Sequence, residues 1–137
     1  MKRSIVLSVA AALLFAAAAS SALAQQSAPP GGDYKKVSEL VKLPDFLPGL
    51  GTLYVVPSTL PAGPFLAYDR NGKLVSSVYM IPLKDIDAHK KFDDLNVAKE
   101  KVDHVAMYYN AGHPGVAEPH YHVILWYIPR DQEASLK

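Results

Sequence analysis

Four of the five histidines in this 137-residue chain fall between His104 and His122, a stretch that also holds Tyr108, Tyr109, Asn110, His113, Glu118, His120 and Tyr121. Imidazole is the commonest protein ligand for transition metals and titrates nearest neutral pH, so the chemistry suggested here is metal binding or proton handling. On a strand, His120 and His122 project from one face with Cα atoms roughly 6.6 Å apart, close enough for both rings to reach one ion. His113 stands in Gly112-His113-Pro114-Gly115, whose glycines let the chain fold back, which makes it the expected third ligand. Asn110, Glu118 and Tyr108 are candidates for a fourth position or for orienting the rings. Three histidines with an open position fit a catalytic or exchanging site better than a closed structural one. Zinc, copper and nickel all suit imidazole, so the metal is left open.

These assignments depend on the elements that carry them. Residues 102–110 and 120–128 read as two strands joined by a short loop, and pairing Asn110 with His120 sets Tyr108 opposite His122 and His104 opposite Trp126. His104, a further candidate, then lies roughly 13 Å along the sheet from the level of His122. Without a metal, the same side chains would suit a hydrogen-bonded polar core or a subunit interface. His89 has no second ligand at helical spacing and reads as a packed or edge residue. The chain has no cysteine and no Gly-x-Ser-x-Gly elbow, so acyl transfer lacks its usual residues and metal-activated water is the remaining route to catalysis.

Lys2-Arg3, the apolar run Ile5 to Ala19 and the small-residue pattern Ala22-Leu23-Ala24 occur in the order of a secretory signal, predicting cleavage before Gln25 and a periplasmic or secreted mature chain. The run falls short of the roughly 20 residues of a membrane span, and no cysteine follows to take a lipid, so no membrane anchor is expected after cleavage. Without Lys2 and Arg3, twelve basic residues face thirteen acidic ones, which argues against a nucleic-acid partner.

Residues 25–32 are polar and rich in Pro and Gly, as in a flexible leader, and residues 33–137 suffice for one domain. Asp33 is placed to cap a short helix carrying Tyr34, Val37, Leu40 and Val41. Strands follow at 52–56, 64–68 and 73–81, with Asp69-Arg70-Asn71-Gly72 fitting a tight hairpin turn between the last two. That hairpin places Leu66, Tyr68, Leu74, Val78 and Met80 on one face and Phe65, Val75, Tyr79 and Ile81 on the other. Two apolar faces require cover on both sides, which predicts a homo-oligomer. Pro82 begins a helix expected to reach Leu95, with Ile86, His89, Phe92 and Leu95 spaced by three. The order β-β-β-α-β-β after a short N-terminal helix predicts an α+β fold with a mainly antiparallel sheet.

The Gly115-x4-His120-x-His122 pattern departs from the first cupin motif, having its Gly one residue too near and neither Glu nor Gly in Val123 to Tyr127. The run His104, Asn110-x-Gly112-His113-Pro114-Gly115, Pro119-His120-Tyr121-His122 and Tyr127 resembles the motif of an uncharacterised domain family typified by a sigma-E/anti-sigma-E-controlled protein of Thermus. The resemblance covers mainly residues 52 to 129, and His104, Asn110, His113, His120 and Tyr127 match its motif. His122 stands where that family has Asp, and Ile124 where it has a further His, which implies a rearranged site. The resemblance implies an α+β fold and oligomerisation, without an activity to transfer.

Overall fold

In the computed structural model, which describes residues 25–137, the Asp69–Gly72 sequence closes a hairpin between β3 (Phe65–Tyr68) and β4 (Leu74–Pro82). Asp69 Oδ1 accepts the amides of Asn71 and Lys73, each at 2.9 Å, while Gly72 donates to the Asp69 carbonyl at 3.0 Å and adopts φ 75°. A Cβ at Gly72 would meet nothing nearer than 3.7 Å, so a side chain there costs only backbone strain. Gly72→Val is expected to lower stability by about 1 kcal/mol or slightly more. An unchanged denaturation midpoint at unchanged slope would contradict that.

The hairpin lies inside one six-stranded sheet with β1 (Lys35–Lys36), β2 (Thr52–Val55), β5 (His104–Asn110) and β6 (His120–Trp126), in the order β1-β2-β3-β4-β6-β5. Every neighbouring pair is antiparallel. Among the described residues, three short α-helices, α1 (Val37–Leu40), α2 (Leu83–Asp87) and α3 (Arg130–Glu133), and a 3-10 turn at Pro57–Thr59 complete the α+β fold. Among the described residues no helix is long and apolar enough to cross a membrane. The expected signal peptide lies outside them.

Four local expectations are corrected. The helix expected from Pro82 to Leu95 ends after α2, because His89 takes φ 55°, a left-handed step that breaks the helical path. Ile86 and His89 are exposed, whereas Phe92 and Leu95 fold back over Tyr79, Ile81, Val123 and Leu125. The N-terminal helix is the single turn α1, preceded by β1 rather than capped by Asp33. The leader is docked, not free. Ala28 donates to the Gly72 carbonyl at 2.8 Å, and the Gln25 carbonyl accepts the buried Tyr68 hydroxyl at 2.6 Å.

The hairpin faces also differ, since Phe65 pairs with Val78 and a bulge between Ala67 and Tyr68 shifts the alternation. Phe65, Ala67, Val78 and Met80 join Val55, Ile124, Trp126 and Leu136 in the main core. Leu66, Tyr68 and Leu74 pack on the opposite face with Ala98, Tyr34 and Tyr54. One chain thus covers both faces of β3–β4, and the apolar surface left open is elsewhere. On the edge strand β5, Val105, Met107 and Tyr109 are each more than half exposed.

Candidate metal centre

Strand period two turns His120 and His122 inward with Ile124 and Trp126, so two imidazoles enter the buried side of β6. Cross-strand pairing sets Asn110 against His120, Tyr108 against His122 and His104 against Trp126, the register expected from the short connecting loop. Within that loop His113 and Val116 exchange backbone hydrogen bonds at 2.8 and 2.9 Å, making a tight reversal. Gly112, at φ 128°, permits the reversal, because a Cβ there would lie 2.6 Å from the Ala117 carbonyl oxygen. The turn carries His113 back over the strand pair. Its ring centre lies 4.9 Å from that of His120 and 5.5 Å from that of His122.

One ring nitrogen from each of His113, His120 and His122 lies within 4.8 Å of the others. His120 Nδ1 is 2.7 Å from the Glu118 carbonyl, and His113 Nδ1 is 3.0 Å from the Pro114 carbonyl. A carbonyl can only accept, so both Nδ1 atoms carry hydrogen and each neutral ring keeps its lone pair on Nε2. His122 Nδ1 meets the Tyr108 hydroxyl at 3.0 Å, and its Nε2 lies 3.0 Å from Nε2 of His120. Burial, followed by the neighbouring His120 and His113, lowers the His122 pKa to about 4, so near neutral pH this ring is a lone-pair donor. Burial likewise raises the Tyr108 hydroxyl and keeps it protonated.

This arrangement fits a metal. Imidazole ligands characteristically engage their second nitrogen with a carbonyl, carboxylate or hydroxyl, which fixes tautomer and ring orientation. The 3.0 Å between the two Nε2 atoms is near the roughly 3.3 Å spanned by two nitrogens on one tetrahedral ion at about 2.0–2.1 Å. Without an ion, the same atoms form a relay: Tyr108 donates to His122 Nδ1, His122 Nε2–H donates to His120 Nε2, and His120 Nδ1–H donates to the Glu118 carbonyl. Tyr108, His122 and His120 are therefore paired even without an ion.

The other candidates serve different ends. His104 stacks on Trp126 at 6.1 Å and is held between Asp103 and Glu133, tying β5 to α3 at the far end of the strand pair. Asn110 Oδ1 accepts the Gly112 amide at 2.8 Å and shapes the loop. The Glu118 carboxylate pairs with Lys84 at 2.6 Å, so its contribution to the triad is its backbone oxygen. Tyr127 bonds Ser77 at 2.6 Å, and His89 is exposed. The Pro114 and Glu118 carbonyls were not foreseeable from side-chain type, although their places one and two residues from a histidine are short enough for local hydrogen bonding.

Fold and site together define a small antiparallel α+β domain with a three-histidine cluster at the end of its two C-terminal strands. Among solved structures, the chain is similar to a hypothetical protein from Thermus thermophilus, TTHB210, with 49% identity, 69% of this chain and 92% of that chain covered, and a TM-score of 0.60. The chain belongs to the family of that Thermus protein. Neither the protein-family models nor the curated proteins compared with it contain a match.

Proposed function

We propose that this is an exported protein that binds one divalent transition-metal ion, zinc, copper or nickel, through His113, His120 and His122. The observation carrying this reading is the convergence of three imidazoles whose Nδ1 atoms already have oxygen partners. Three protein ligands leave a position for water or an exchanging ligand, which suits buffering, sensing or metal-activated water chemistry. Linkage supplies a test. Zinc at about a hundred times its dissociation constant should stabilise the fold by about 2.7 kcal/mol and raise Tm by roughly 10 °C in a thermal melt. No shift at any zinc concentration would contradict the reading.

A second observation favours self-association. Val105, Met107 and Tyr109 alternate to the face opposite the triad, on a strand whose outer edge has no partner among the described residues. Such an apolar edge is a ready surface for a second copy. Light scattering at micromolar concentration should give at least a dimer, and Met107→Glu should dissociate it without unfolding the chain. A wild-type monomer would refute this interface.

A further inference from the structure

Beside the triad is a second feature that metal binding does not use, a cavity of about 300 Å³. The segment running from α1 into β2 forms one wall, the β2–β3–β4 sheet another, and the loop from His113 to Val116 closes one end. Every side chain on the wall is apolar except His113. Leu40 and Leu60, both more than two-fifths exposed, mark a rim through which solvent reaches it. Because the His113 ring packs 4.9 Å from His120, the same imidazole lines both cavity and triad. The apolar chamber therefore ends at His113, the member of the triad that faces both.

We propose that this cavity binds a medium-chain carboxylate, with the hydrocarbon between the α1–β2 segment and the sheet and the carboxylate at the open position of the metal held by the triad. The proposal rests on the metal reading given above. The volume is about twice the roughly 150 Å³ of an engineered cavity that admits benzene, giving space for about a dozen non-hydrogen atoms. A wall whose one polar side chain is His113 would leave most hydroxyls of a sugar, or most amides of a peptide, unpaired, which disfavours both. One polar end and one apolar body match an amphiphile with a single head group. Carboxylate is selected as an anionic oxygen ligand accepted by imidazole-bound divalent ions.

Octanoate is the probe, titrated calorimetrically into the untagged protein with and without zinc, while zinc stoichiometry is measured separately. The zinc-loaded protein should bind octanoate, bind acetate at least about a hundredfold more weakly because six methylenes are lost, and lose about tenfold or more of its octanoate affinity when zinc is removed. Leu53→Phe and Leu43→Phe, each adding volume at a partly buried wall position, should weaken octanoate while leaving zinc stoichiometry unchanged. Zinc retention in either variant reports an intact triad, so a folding failure is distinguished from a filled cavity. If zinc binds but octanoate and acetate bind alike, or both filled variants bind octanoate as wild type does, the cavity proposal is overturned and the metal reading stands. Failure of zinc to bind overturns both.

Discussion

His120→Ala and His122→Ala are each expected to weaken zinc or copper binding by more than about a hundredfold, since loss of even an orienting partner costs about 10–100-fold and these residues supply donor atoms themselves. Both side chains are buried on β6, and the two histidines outside the triad are placed elsewhere, His104 held beside Trp126 and Glu133 and His89 exposed after α2, so neither stands ready to fill the vacated place. His113→Ala should have a smaller effect because its ring comes from a loop. Tyr108→Phe removes only the hydroxyl at His122 Nδ1 and should weaken binding by about tenfold. His89→Ala should leave the titration unchanged. Calorimetry on the five variants distinguishes these ranks, and wild-type affinity in His120→Ala would place the site elsewhere.

The second large effect concerns Gly51, immediately before β2. Its φ is 115°, and a Cβ there would sit 2.3 Å from the backbone oxygen of Tyr68, inside the sheet that forms one wall of the core. Gly51→Ala therefore combines backbone strain with a collision against an atom that cannot rotate away, and is expected to cost about 2–4 kcal/mol. Gly72→Val involves strain without collision and should cost less. Urea midpoints at matched slopes decide the comparison. A shift for Gly51→Ala no larger than that for Gly72→Val would mean that β2 can move away from β3 at little cost.

The parts of this molecule governed by short-range rules were legible in its residues. Strand period two places His120 and His122 together, Asp69 and Gly72 determine their turn, and the short β5–β6 loop fixes the register that brings Tyr108 to His122. The features that were not legible depend on distant contacts or on a single backbone angle. His89 leaves the helical region and turns an expected long helix into a covering loop. One bulge at Ala67/Tyr68 moves Val78 and Met80 from the expected Leu66–Tyr68–Leu74 face to the face of Phe65. The leader carries no periodic apolar pattern, yet it docks: a buried tyrosine hydroxyl and the Gly72 carbonyl find partners in it, and Ala28 packs against the Leu66–Tyr68–Leu74 cluster. His104 has the same residue type as the triad but is held between Asp103 and Glu133, and no local pattern reveals that Glu133 stands beside it.

Whether the three histidines hold a metal is tested most directly by elemental analysis of untagged protein purified without added metal and washed free of loosely bound ions. The expected result is about one zinc, copper or nickel ion per chain, and near-background metal in His120→Ala prepared in the same way. Wild-type protein that is metal-free after recovery, and that takes up no divalent ion near neutral pH, would contradict the metal assignment and leave Tyr108, His122 and His120 as a hydrogen-bonded core network.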